Sequence, residues 1–241
     1  DIGNGRAASI LLAEAGVKVI VADKVETLAK NTVRMIQDRG GEAISISGDL
    51  TKSDQCKRVV DLAINNWGRL DILDNNIGVA SKLSVVDETE ENWDKVMDIN
   101  LKPMFLMSKY AIPEMIKSGN GGSIVNISSI SATRPKGLTT YSASKGAVLS
   151  LSQAMAVDHG PDGIRVNCIL PGPVYTPMVH SNGMTKQHRS QRQNASLIQV
   201  EGDGWDIGKA VVYLSSNWAR YITGHLMVVD GGCSLSAKPR G

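Results

Sequence analysis

The chain has 241 residues, of which 42% are hydrophobic and 21% charged, enough apolar side chain for one large folded core and too much for a disordered chain. Its net charge of +2 gives no argument for nucleic acid or a membrane surface as partner, and no run of eighteen apolar residues is present to span a bilayer. Cys56, Cys168 and Cys233 are odd in number, far apart and without metal-ligand spacing, so reduced thiols, a cytoplasmic setting and no metal are expected.

In chain order, short β-branched runs alternate with amphipathic stretches. Gly3-Asn-Gly5 leads straight into a helical pattern over 7–16, with no strand ahead of it. Residues 17–22 read as a buried strand, 26–39 as a helix closed by Gly40-Gly41, 43–47 as a strand and 53–67 as a helix. A strand over 70–73 precedes a largely helical stretch over 90–117, which Pro103 and Pro113 should bend or interrupt. Strands over 123–127, 164–169 and 226–229 alternate with helices over 141–159 and 206–215, while 175–201 is polar and without a clear period. The alternation predicts a single α/β domain: a doubly wound, Rossmann-like parallel sheet with helices on both faces. In such a sheet the glycine turn follows the central first strand. The sequence therefore leads us to expect roughly 10–20 further residues upstream, one strand and its turn.

Tyr141 and Lys145 stand four apart on a predicted helix, so the phenol and the ammonium share a face. A cation there favours the phenolate and makes a tyrosine usable as a general acid or base. Gly3 and Gly5 fit the end of a glycine-rich phosphate turn, where backbone approaches a pyrophosphate at a helix N-terminus. Asp23 ends a strand 18 residues after Gly5, near the offset at which a carboxylate meets a ribose 2′-hydroxyl and repels a 2′-phosphate, which predicts NAD over NADP. The remaining clusters, Asp49-Leu50, Asn75-Asn-Ile-Gly78, Ser128-Ser129 and Pro171-Gly-Pro-Val-Tyr-Thr176, all end strands, where open α/β sheets bind ligands.

Taken in order, these motifs resemble the short-chain dehydrogenase/reductase family, in its short single-domain branch, over essentially the whole chain. The resemblance implies that Tyr141 exchanges a proton with the substrate oxygen and that Lys145 lowers its pKa and binds the nicotinamide ribose. It implies that Ser129, last in Asn126-Ile-Ser-Ser129 and preferred to Ser128, bonds the substrate oxygen, and that Asn100 holds a water of the proton relay. Gly3, Gly5, Asp23, Asp49, Leu50, Asn76, Gly78, Pro171, Gly172, Val174 and Thr176 would line the dinucleotide. Residues 175–201 would form a substrate lid, whose Lys186, His188, Arg189 and Arg192 read as a solvated face more readily than as an anion site. Arg134 and Lys136 are closer candidates for an anion. The expected activity is NAD(H)-dependent interconversion of a secondary alcohol and a ketone, in a homotetramer assembled in part through the last strand. An NADPH-dependent β-ketoacyl-type reductase and a non-catalytic dinucleotide sensor are the alternatives. The chain departs from the family pattern at Asn4, where an aliphatic residue is usual, and at Asp74 and Ile77 around the Asn pair.

Overall fold

The structure, a computed structural model, describes residues 2–181 and 183–235. Helix α1 (Asn4–Glu14) precedes β1 (Val19–Asp23), α2 (Glu26–Gln37), β2 (Ala43–Ser47), α3 (Ser53–Trp67) and β3 (Ile72–Asn75). Then come α4 (Glu90–Asn100), α5 (Lys102–Ser118), β4 (Gly122–Ile127), α6 (Thr139–His159) and β5 (Ile164–Pro171). Two-residue strands β6 (Val174–Tyr175) and β7 (Gly202–Asp203) bracket α7 (Pro177–His180) and α8 (Lys186–Asn194), and α9 (Gly204–Ser215) and β8 (Leu226–Val229) end the fold.

Every strand pairing is parallel, as alternation requires. The order is β2–β1 in one part and β3–β4–β5–β8 in the other. Successive side chains of β4 go to opposite faces. Val125 and Ile127 join α1, α2 and α9 in one core, whereas Ile124 joins α3, α5 and Met155 in the other. Among the described residues no ladder joins β1 to β3. Val19 and Val21 of β1 and Ile72 and Leu73 of β3 line the same cavity.

The helical stretch over 90–117 divides at Leu101 rather than at both prolines. Pro103 lies in the first turn of α5, where its missing N–H is not needed, while Pro113 sits inside an unbroken helix. The third strand lies two residues later than its apolar run suggests, because Gly68, left-handed at φ 71°, closes α3 and commits the residues after it to the turn. The first residue of α9 is held by a reciprocal cap: Asp203 accepts from the Trp205 and Asp206 amides, and Asp206 accepts from the Asp203 amide. Helix α9 also lies close against α1. A Cβ on Gly208 would come within 3.0 Å of the Ala7 carbonyl carbon.

Candidate active site

The C-terminal ends of the strands open into a continuous cavity of about 2000 Å³, lined also by residues of β1 and β3. At its floor, α1 begins at Gly3 with no side chain capping its first amides. Those donors are left for an anion. A Cβ on Gly5 would lie 3.3 Å from that of Asn76, a tight contact, so the glycine lets this turn sit close against the strand end. Across the cleft, Asp23 accepts from the Val25 amide through Oδ1 at 2.8 Å, and its Oδ2 has no protein partner among the described residues. A glycine-floored groove with bare helix amides at one point and an unspent carboxylate at another fits a dinucleotide.

Tyr141 is in the first turn of α6, with its hydroxyl on the side of the Ser129 side chain, whose Oγ accepts from the Ser131 amide at 3.1 Å. The two serines of the strand end therefore do different work. Ser128 is buried and donates to the Lys145 carbonyl at 2.7 Å, tying α6 to the sheet, while Ser129 faces Tyr141. Lys145 is buried, donates to the Ile127 carbonyl at 2.8 Å, and keeps its Nζ 6.0 Å from the Tyr141 ring centre. Gly78 covers that ammonium: a Cβ there would be 3.2 Å from Nζ.

The electrostatics depart from the sequence expectation. Burial raises the Tyr141 pKa, with the Ser129 side chain acting against it. Lys145 is itself brought down to about 8 by burial. Both groups are out of water, so each disfavours its own charged form more than it favours the other's.

Asn100 is wholly buried and its amide is committed. Oδ1 accepts from the Val79 amide at 2.7 Å, and Nδ2 donates to the Val79 carbonyl and to Ser144 at 2.9 and 3.0 Å. Its side chain thus clamps the loop after β3 to α6 and is not on the cavity wall. Asp49 is off the wall too, because Lys24 and Thr51 engage it and hold its carboxyl down at about 2. Leu50, Asn76, Gly78, Pro171, Gly172, Val174 and Thr176 all line the cavity. Asp74 lies beside them with Oδ1 sealed and without a donor, Oδ2 receiving only the Asn76 amide, and burial lifts it to about 7.

The lid is two short helices whose base is the β6–β7 pair. Tyr175 stacks on His180 with ring centres 4.5 Å apart, and the Arg189 guanidinium lies 4.1 Å from the Tyr175 ring centre. Arg189 and Arg192 both reach Glu201, at 2.8 and 3.3 Å. Those two lid arginines are therefore internal ties.

A profile of the family described as enoyl-(acyl carrier protein) reductase matches residues 2–234. The 2,5-dichloro-2,5-cyclohexadiene-1,4-diol dehydrogenase LinX of Sphingobium indicum is 37% identical over 97% of this chain and 92% of its own. The human dehydrogenase/reductase SDR family member 4 is 37% identical over 95% of this chain and 83% of its own. A crystal structure of a short-chain dehydrogenase/reductase from Burkholderia xenovorans superposes with a TM-score of 0.92 at 34% identity, covering 99% of this chain and 92% of that one. This chain belongs to the short-chain dehydrogenase/reductase family. It is an oxidoreductase of a family that takes a nicotinamide dinucleotide.

One feature of this short-chain dehydrogenase/reductase is invisible in its sequence. Glu88 gathers three side chains: Ser81 and Thr140 donate to Oε2 at 2.7 and 2.5 Å, and Asn92 donates to Oε1 at 2.6 Å. These bonds hold its carboxyl down at about 2. The knot joins the loop after β3 and the start of α4 to the residue before Tyr141. Its members lie up to 59 residues apart, as the numbers 81 and 140 show, and no spacing rule links them.

Proposed function

We propose that this chain is an NAD(H)-dependent oxidoreductase that interconverts a secondary alcohol and a ketone, with Tyr141 as general acid/base. The observation that carries the reading is that Ser129, Tyr141 and Lys145 share one cavity wall, with the buried lysine one helical turn from the tyrosine and its Nζ 6.0 Å from the ring centre. A bound nicotinamide supplies the hydride acceptor or donor. The chain's own groups supply the rest. Ser129 and Tyr141 present two hydroxyls to one substrate oxygen, polarising a carbonyl or receiving an alcohol. In reduction, the Tyr141 Oη proton goes to the oxygen as negative charge develops there, and the raised pKa keeps that proton on the phenol at neutral pH. Lys145, still mostly protonated at pH 7 with a pKa of about 8, supports the phenolate left behind. In oxidation the proton moves the other way.

Asp23 supports NAD, because its free Oδ2 suits a ribose hydroxyl and opposes a 2′-phosphate. The NADPH reading draws on the 3-oxoacyl-[acyl-carrier-protein] reductase FabG of Thermotoga maritima, 32% identical over 95% of this chain. A panel of secondary alcohols offered with NAD and with NADP at alkaline pH tests both. Turnover with NAD preferred is expected, and Asp23→Ala should erode that preference about tenfold or more, the worth of a hydrogen bond to a charged group. NADP preferred by the parent protein would overturn the cofactor assignment. Dinucleotide binding with no turnover across the panel would favour the sensor.

We also propose a homotetramer in the cytoplasm. Trp218 and Tyr221, just before β8, are 84% and 95% exposed, and Phe105 and Val157 on α5 and α6 are exposed as well, more apolar surface than an isolated subunit needs. Among the described residues, no helix is long and apolar enough to cross a membrane.

A further inference from the structure

The lid end of the cavity carries one sign of charge. Lys82, Arg134, Lys136, His188 and Arg192 line the cavity from the loop after β3, the segment before α6 and the lid, whereas its lining carboxylates, Asp23, Asp71 and Asp74, all lie in or next to β1 and β3. The whole chain is only +2, so the imbalance is local. Arg192 is answered by Glu201. Lys82 and Lys136 make no hydrogen bond or ion pair with any described residue.

These two lysines are placed by the fold. Ser81 and Thr140 share Glu88, and the Thr139 amide donates to the Leu83 carbonyl at 3.3 Å. Lys82 therefore stands between two pinned residues, and Lys136 stands on the segment that leads into the pinned start of α6. Glu88, the carboxylate of this knot, has both oxygens occupied by neutral donors. Arg134, set deeper, is tied to the Cys233 carbonyl. A one-signed rim above a low-dielectric cleft concentrates ions of opposite charge.

We propose that the substrate is an anion, an alcohol or ketone bearing a carboxylate or a phosphate, whose charged group rests on Lys82 and Lys136 with Arg134 behind them while its reacting carbon lies at Tyr141. This inference rests on the oxidoreductase reading above. It goes further, since that reading asks nothing of the substrate's charge.

The test offers matched pairs with NADH and with NADPH at low salt: acetoacetate and levulinate against their methyl esters, and dihydroxyacetone phosphate against dihydroxyacetone. The charged member of a pair should have a kcat/KM about tenfold higher, the worth of two exposed ion pairs. The advantage should shrink as sodium chloride is raised. In the double variant Lys82→Gln/Lys136→Gln the ratio should fall close to one, with an unchanged melting temperature. The oxo-acid and phosphate pairs identify which anion is read. Turnover of the neutral members with no advantage for the charged ones overturns the anion proposal and leaves the oxidoreductase reading standing. If no pair is turned over, calorimetric titration with the same anions decides. Saturable binding that the double variant loses supports the rim, and equal binding or none in both proteins overturns it.

Discussion

The two walls of the cleft are built on different principles. The dinucleotide wall is made by close approach of backbone. Gly5 lies against Asn76, Gly78 over Lys145, and a Cβ on Gly172 would collide with Asp230. The lid wall is made by stacking and by ion pairs to Glu201, whose side chain is only 9% exposed. Neither α7 nor α8 has a buried residue, and Glu201 and Tyr175 hold the lid together through Arg189, Arg192 and His180. Interiors transmit strain because they are densely packed, whereas short helices with no buried residue have few packed contacts to resist a change. The first wall should therefore tolerate little change and set the chemistry. The second should tolerate much and tune what enters.

The sharpest break of that comparison is Tyr141→Phe, which removes one oxygen from the packed side. Turnover should fall about 10²–10⁴-fold, the usual contribution of a general acid or base, while dinucleotide affinity measured by titration stays near that of the parent. A variant retaining more than half the parental rate would take the tyrosine out of the mechanism.

Asp74 tests whether the packed wall carries a cost. Its carboxyl titrates at about 7 in the fold and at about 4 when unfolded. Between those values the folded protein keeps a proton that the unfolded chain has released, so stability falls as pH rises through the window and the full penalty stands above 7. Asp74→Asn removes the ionisation. In denaturant titrations the variant should be more stable than the parent at pH 8, by up to a few kcal/mol, and about equal to it near pH 4. The same difference at both pH values would show that the carboxyl is not held neutral.

The smallest effect is expected on the lid. Arg189→Ala removes one of two arginines on Glu201 and the cation over Tyr175, but the guanidinium is exposed and Arg192 remains. KM should rise about two- to threefold with kcat unchanged, as steady-state kinetics would show. A loss of kcat comparable to that of Tyr141→Phe would erase the distinction between the walls.

What the sequence revealed follows the same division. Alternating strands and helices, the glycines at Gly3 and Gly5, and the four-residue step from Tyr141 to Lys145 are local patterns: the alternation stands with some bounds shifted, the first helix starts at Asn4 rather than at residue 7, and Tyr141 and Lys145 lie one turn apart on α6. Burial is a property of the folded environment, so the opposed shifts of Tyr141 and Lys145 were not legible. The commitment of the Asn100 amide to Val79 and Ser144 depends on residues brought together from three elements. The lid's order was hidden for another reason: it comes from cross-links to Glu201 rather than from a repeating apolar face, so it leaves no period in the chain.

The Glu88 knot bears on the order of events in a turnover. Its carboxylate ties the loop after β3 to the turn that precedes Tyr141, and with a pKa of about 2 it stays ionised and bonded at every pH the protein would meet in a cell. On the proposed reading, a substrate that displaced that loop would also shift the turn ahead of Tyr141, so substrate entry and alignment of the proposed proton donor would be coupled through one carboxylate.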